Sequence, residues 1–317
     1  MLERKLTRRG LLATGVVTAA GWATAACGAA LGSSTTRISA ASRPAAAAFV
    51  PSATLDAARP VPPSVTPAAA VAPATPSSPT PTAPRPVEDP GAVAAAHAGQ
   101  RPVAWGMAMP GIITGFAPQG RQMALTFDAC GGPGNDEMND LLINYLIAQR
   151  IPATLFLNRR WIDADPARAA SLAASPLFEI GNHGNRHCPL SVTGRAAYGI
   201  RGTGSAREAV DEVWENQQRL IALTGRAPRF FRPGTAHYDD VAVRIVHELG
   251  VTPVGFDINA DAGATFNAAQ VQVEMAKATP GAISIAHMHR PKSGTGPGML
   301  VALPRLRSAG YEFVHLP

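Results

Sequence analysis

From Arg121 to the end of the chain, short apolar runs alternate with longer segments whose apolar residues recur at helical spacing. The runs at 123–127, 153–157, 178–181, 230–232, 251–256, 282–286 and 312–314 have the length and composition of buried strands. Helices are expected over 135–149, 205–223, 239–249, 267–277 and 298–308. Repeated strand–helix units predict an α/β fold, a parallel sheet covered by helices. About seven units suit a barrel, although periodicity alone leaves an open doubly wound sheet in play. Asp128, His183, Arg232, Asp257 and His287 each follow or close one of these runs. In parallel α/β folds the carboxyl ends of the strands share one face, and that face carries the chemistry. The five ionisable side chains are therefore expected to converge on one cleft.

The preceding third of the chain cannot fold in the same way. Thirteen of the 29 prolines lie between residues 44 and 90, and Phe49 is the sole aromatic between Gly28 and Gln100. Such a stretch buries too little apolar surface to offset its ordering entropy. Residues 28–117 are expected to be a disordered Pro/Ala/Thr/Ser-rich tether, and 118–317 the catalytic domain. Residues 1–27 carry Arg4, Lys5, Arg8 and Arg9 ahead of an alanine-rich apolar run, and Thr7-Arg8-Arg9-Gly10-Leu11-Leu12 resembles a twin-arginine export signal. Thr24-Ala25-Ala26-Cys27 resembles a lipoprotein cleavage box with Thr24 where Leu is preferred, so lipidation of Cys27 and ordinary cleavage after an alanine both stay open. The product is expected to be extracellular, in the cell wall or membrane-anchored, touching a membrane only through such a lipid.

Export changes the charge balance. The formal net charge is +6, but without residues 1–26 the chain keeps 24 basic and 21 acidic residues, a net of +3. No dense Lys/Arg run remains, which argues against a nucleic-acid partner. Three cysteines are too few for a disulfide-built scaffold, and no apolar run reaches the ~18 residues of a membrane span. Nothing in the sequence specifies an oligomeric state.

His183-Gly184-Asn185-Arg186-His187 spaces two imidazoles four apart; on a helical turn both rings would share a face and hold one divalent cation, commonly zinc. Around this pair the sequence resembles the polysaccharide deacetylases, the NodB-homology domain of carbohydrate esterase family four. Leu125-Thr126-Phe127-Asp128 resembles the first motif of the family, Glu179-Ile180-Gly181-Asn182-His183 through His187 the second, and Arg229-Phe230-Phe231-Arg232-Pro233 the third. Phe256-Asp257-Ile258-Asn259-Ala260-Asp261 falls where the fourth belongs, and Ile283-Ser284-Ile285-Ala286-His287 resembles the fifth. The resemblance implies a distorted (β/α) barrel of about seven strands and a metal-dependent hydrolase removing N-acetyl groups from a glycan such as peptidoglycan. It implies Asp128 as general base, Arg232 orienting it, His183 and His187 as metal ligands, and His287 as general acid. The carboxylate partner of His287 is implied to be Asp261, late in its loop, with Asp257 as the second candidate.

The chemistry is consistent with those residue types. An N-acetyl group is an unactivated amide, so hydrolysis needs a strong nucleophile, oxyanion stabilisation and a proton for the leaving amine. The departures are equally specific. The family has a second aspartate, a metal ligand, directly after the first; here that position is Ala129. Asp128 itself, Asp136, Cys130 or water could fill the vacancy, or the site could work without metal. Gly184 replaces a usual Ser or Thr, Arg232-Pro233-Gly234-Thr235 replaces Arg-x-Pro, and the fourth motif lacks its Trp, which marks a divergent branch.

Cys130 follows Asp128 by two residues and Cys188 directly follows His187. With converging loops, three readings are open: a Cys130–Cys188 disulfide, a thiolate zinc ligand, or two buried thiols. His237, Tyr238 and His289 lie near the motifs, whereas His247, His315, Trp161 and Trp214 read as structural. Two rival functions follow: a non-catalytic wall-binding relic of a deacetylase, or a hydrolase of another amide or ester with weak or no metal.

Overall fold

The structure is a computed structural model describing residues 89–317. The expected export signal, Cys27 and the expected tether as far as residue 88 lie outside the described residues. In chain order the elements are α1 (Pro90–Ala96), β1 (Trp105–Gly106), β2 (Gln122–Ala129), α2 (Asp140–Ala148), β3 (Ala153–Leu157), α3 (Arg159–Ala164), α4 (Pro166–Ala174), β4 (Phe178–Asn182), α5 (Ala206–Thr224), β5 (Phe230–Phe231), β6 (Tyr238–Asp239), α6 (Asp240–Glu248), β7 (Thr252–Pro253), β8 (Ile258–Asn259), α7 (Ala268–Met275), β9 (Ile283–His287), α8 (Thr295–Ser308) and β10 (Glu312–Val314).

The principal sheet runs β7-β5-β4-β3-β2-β9-β8, with β10 joined to the start of β2, and every pair in it is parallel. It curls into a half-barrel with helices outside, a distorted (β/α) barrel. Because successive side chains of a strand point to opposite faces, β2 is apolar twice over. Leu125, Phe127 and Ala129 pack outward against α2, α3, α4, α7 and α8. Ala124 joins Phe156, Phe230, Val254 and Ile283 in a separate inner cluster. The inner row of β2 continues upward through Thr126 to Asp128, and that of β9 runs Ile283, Ile285, His287. Asp128 and His287 are register partners on these adjacent strands, so the acid and the imidazole stand side by side above an apolar floor.

The expected tether boundary at residue 117 is corrected. Residues 89–117 belong to the domain. Asp89 caps α1 and Pro90 starts it, a position where the missing N–H costs nothing. Val93 and Ala94 are buried in a cluster with α5 and α6. Asp240 Oδ1 accepts the N–H groups of Val103 and Ala104, and β1 pairs with β6. Ile113 N–H donates to Pro253 O at 3.0 Å, Gly255 N–H to Ile113 O at 2.8 Å, and Phe116 N–H to Gly281 O at 3.0 Å. A segment of four residues thus links the β7 side to the start of β9, spanning the seam of the sheet. The proline-rich average upstream masked the few large apolar residues that do this.

The helix expected over 135–149 shortens to α2, because Asn139 caps it and Asp136 is committed elsewhere, its Oδ1 accepting Gly132 N–H. Helices α3 and α4, capped by Asn158 and Asp165, have no counterpart among the sequence expectations. The strand expected over 251–256 shortens to β7, although Val254 N–H still donates to Phe231 O at 2.8 Å.

Candidate active site and its relatives

Asp128 is 2 % exposed and Arg232 fully buried. Arg232 Nη1 donates to Asp128 Oδ1 and to Thr126 Oγ1, each at 2.8 Å, and Nη2 donates to Gly255 O at 2.7 Å. Its guanidinium also stacks over Phe156, 4.4 Å from the ring centre. A buried arginine fixed at three points holds one carboxylate oxygen of Asp128 and leaves the other, Oδ2, 3.6 Å from His183 Nε2.

Residues 183–187 are not a helical turn, which corrects the expected basis for the histidine pair. Gly184 (φ 80°) and His187 (φ 64°) both adopt left-handed backbone, and the two rings meet edge to face with centroids 4.9 Å apart. Buried amides hold this loop in place of helical hydrogen bonds. Asn158 Nδ2 donates to the carbonyls of His183 (2.9 Å) and Gly184 (2.8 Å). Asn182 Oδ1 accepts Gly184 N–H and Asn216 Nδ2. Glu212, fully buried on α5, accepts Arg186 N–H at 2.9 Å and Cys188 N–H at 3.3 Å. Burial raises the Glu212 pKa, and those N–H donors partly offset it. A Cβ on Gly184 would lie 2.5 Å from Glu212 Oε1, which explains glycine where the family has Ser or Thr.

His183 Nδ1 lies 2.8 Å from Arg232 O. A carbonyl can only accept, so Nδ1 carries the hydrogen and Nε2 presents its lone pair to the cleft. Cys130 Sγ is 3.7 Å from that Nε2, and donor atoms of Cys130, His183 and His187 all fall within 4.8 Å of one another. Burial opposes ionisation of the Cys130 thiol, but His187 and the adjoining rings of His183 and His287 hold it well below the ordinary thiol range. Both Cys130 and Cys188 are free thiols. The expected disulfide is therefore corrected: Cys130 turns into the cleft with Asp128, while Cys188 is tied by its N–H to Glu212.

His287 Nδ1 is 2.8 Å from Asp261 Oδ1. Asp261 Oδ2 accepts His287 N–H at 2.7 Å and Thr295 Oγ1–H at 2.8 Å. Burial works against charge on both groups, yet Asp261 holds His287 well above the ordinary histidine range and His287 with these donors holds Asp261 below the ordinary carboxyl range. Asp257 is corrected as a candidate: its Oδ1 accepts Ile283 N–H at 2.8 Å, at the opposite end of β9 from His287.

Asp128, Cys130, His183, His187 and His287 line a cleft of about 600 Å³, within the ~300–1,000 Å³ range of small-molecule sites. Of seven non-glycine residues with positive φ among the described residues, five line it: His187, Tyr198, Thr235, Ala236 and Ala262. Strain of this kind gathers where surrounding structure dictates a functional conformation. Residues 117–254 match the family model described as polysaccharide deacetylase. That segment is a polysaccharide deacetylase domain.

The peptidoglycan-N-acetylglucosamine deacetylase PgdA of Listeria monocytogenes is 25% identical over 199 residues, covering 62% of this chain and 38% of PgdA. The chain thus matches well under half the length of that curated relative. Solved structures sharing the polysaccharide deacetylase fold include BA3943, a CE4 family pseudoenzyme from Bacillus anthracis (21% identity, TM-score 0.55, 66% of this chain and 68% of that one). Another is the Bc1960 peptidoglycan N-acetylglucosamine deacetylase (21%, TM-score 0.54, 64% and 90%). One is an enzyme and the other a pseudoenzyme, so activity is decided by site residues and not by the fold.

The family match ends before Asp261 and His287, whose place rests on geometry. Asn158, Asn182, Glu212 and Asn216 escaped the sequence reading because no local pattern marks them; only a polar residue on the otherwise apolar face of α5 hinted at Glu212 and Asn216. His289 lines the cleft, edge-on to His287 at 5.5 Å. His237 stacks between Trp105 and Tyr198. Tyr238 is internal, its hydroxyl donating to Phe231 O and Val254 O. His247 and His315 bond the carbonyls of Gly111 and Leu177, and Trp161 is buried with Nε1–H donating to Glu137 O, all structural as expected.

Proposed function

We propose that this chain is an exported hydrolase that removes N-acetyl groups from a glycan, peptidoglycan or another N-acetylated surface polysaccharide. The observation that carries the reading is the pairing of two oppositely prepared groups on adjacent strands. Asp128 is a carboxylate fixed by Arg232, and His287 is an imidazolium fixed by Asp261, with Asp128 and His287 in register. The membership of the domain in the polysaccharide deacetylase family, and the relatives that act on peptidoglycan N-acetylglucosamine, support the substrate class.

The residues fit a divalent cation. His183 presents a bare Nε2 because Nδ1 is hydrogen-bonded, and His187 faces it across an open cleft. Such a backed histidine is the usual arrangement of a metal ligand, and nitrogen and sulfur donors favour zinc. When bound, the cation supplies Lewis-acid polarisation of the acetyl carbonyl and lowers the pKa of water. Asp128 Oδ2 takes the proton of the attacking water, while Arg232 keeps the other oxygen engaged. His287, charged at neutral pH, donates from Nε2 to the departing amine, and Asp261 holds the ring in orientation through Nδ1. Tyr198 and Ile200 at the mouth give the sugar an apolar shelf.

The test is acetate release from N-acetylglucosamine oligomers by the purified chain, with and without chelation. Activity that Asp128→Asn and His287→Ala each abolish supports the proposal. No acetate from any of several acetylated glycans, with metal bound and the fold intact, would overturn it in favour of a binding relic or a different amide.

A further inference from the structure

We propose that Cys130 is the third protein ligand of the metal centre, so that this domain holds its cation through a Cys-His-His set. The inference rests on the metal-binding reading above and names a donor that the sequence left open. Its basis is the pleat of β2. Asp128 points inward and Ala129 outward, packed with the helices; a side chain at 129 cannot reach the cleft while β2 keeps this register with β3. The next inward position is 130. The missing carboxylate at 129 and the thiol at 130 are thus one change: the ligand moves one residue along the chain to the next position facing the site.

The spacing fits. Zinc bonds of about 2.3 Å to sulfur and about 2.0–2.1 Å to nitrogen, at a tetrahedral angle, separate the two donors by roughly 3.6 Å; Cys130 Sγ and His183 Nε2 are 3.7 Å apart. Cys130 is held in place, since its carbonyl accepts Arg160 Nη2–H at 3.2 Å. Of the competing donors, Asp136 Oδ1 accepts Gly132 N–H, and Asp128, its Oδ1 bound to Arg232, keeps Oδ2 for the attacking water. Cys130, His183 and His187 all line the open cleft, which suits a catalytic site with three protein ligands and one exchangeable position. On binding, the thiol proton is released to solvent and sulfur donates its electron pair to the cation. A thiolate also softens the site, favouring zinc, cobalt or cadmium over magnesium or manganese.

The experiment uses the full chain, stripped by chelator and reloaded with cobalt(II). One equivalent should bind with an intense near-ultraviolet sulfur-to-cobalt charge-transfer band. Cys130→Ser should lose that band and bind zinc weaker by at least about 10–100-fold, a loss already typical of disturbing an outer-shell partner. Cys188→Ser should keep both, and Cys130→Asp, which restores an anionic oxygen donor, should bind cobalt without the band. Persistence of the band in Cys130→Ser or Cys130→Asp, or its absence from wild-type protein holding one equivalent, overturns the proposal, as does failure to bind metal. The band with no acetate release would leave this ligand set standing and remove the deacetylase reading. Chelator-sensitive acetate release without the band would do the reverse.

Discussion

Replacing Asp261 with Asn tests the acid side of the site through one atom. Asp261 Oδ2 accepts His287 N–H and Thr295 Oγ1–H, and an amide oxygen can keep both bonds, so the variant should fold. What it loses is the charge 2.8 Å from His287 Nδ1. With charge centres about 4 Å apart and an effective dielectric of about 20, the interaction is worth roughly 4 kcal/mol. At about 1.4 kcal/mol per pH unit that is up to about three units, and burial, which already opposes the imidazolium, is then offset only by the neighbouring Cys130 sulfur. His287 should therefore titrate about two to three units lower than in wild type. Since the general acid must be protonated, the alkaline limb of the rate profile should move to lower pH. At neutral pH kcat should fall about 10²–10⁴-fold, the span of general acid catalysis. Nitrogen-15 NMR of the histidine side chains, assigned through His287→Gln, reads the titration without any substrate. A His287 midpoint displaced by less than about half a unit, under 1 kcal/mol, would refute the reasoning.

Four further outcomes follow from described contacts. In wild type the His287–Asp261 pair raises one pKa and lowers the other. Its stabilisation should be lost as pH falls through the depressed Asp261 value and as pH rises through the elevated His287 value; thermal unfolding across pH should show a wider plateau than in Asp261→Asn. Glu212→Ala leaves the N–H groups of Arg186 and Cys188 unpaired at about 1–3 kcal/mol each, so the melting temperature and zinc affinity should drop together, while Glu212→Gln should recover part of both. Beginning the chain at Pro118 instead of Asp89 removes α1, β1 and the segment across the seam; guanidinium unfolding should show a lower midpoint than the longer chain, and equal midpoints would contradict the seam role. Tyr198, 76 % exposed at the cleft mouth, should on replacement by Ala raise KM for oligomeric substrates with little change in kcat.

The strand–helix alternation was legible because buried parallel strands are uniformly apolar, and β3 and β10 emerge with the expected limits. The convergence of Asp128, His183, Arg232 and His287 was legible too, since each stands at a strand end and parallel strands share that face. Asp257 failed because sequence cannot tell which end of the neighbouring strand a loop carboxylate meets. The closeness of the two histidines was legible for the wrong reason: four-residue spacing suggested a helix, and a strained loop delivered the same proximity. The disulfide failed on direction. Two cysteines on neighbouring loops need facing side chains, and the pleat turns Cys130 toward the histidines. The seam segment escaped because Ile113 bonds residues 140 and 142 positions away along the chain and Phe116 one 165 positions away, which no local pattern records.

The amide scaffold beneath the 183–187 loop also bears on how the site can evolve. Asn158, Asn182 and Asn216 are buried and each serves two or more partners. Asn185 and Arg186, between the two histidines, sit nearer the surface, where their side chains reach Glu215 and Glu208. Variation is therefore tolerated inside the ligand loop and forbidden two layers beneath it. A saturation library scored for metal retention would find its most intolerant positions, after the ligands themselves, at three asparagines that never meet a substrate.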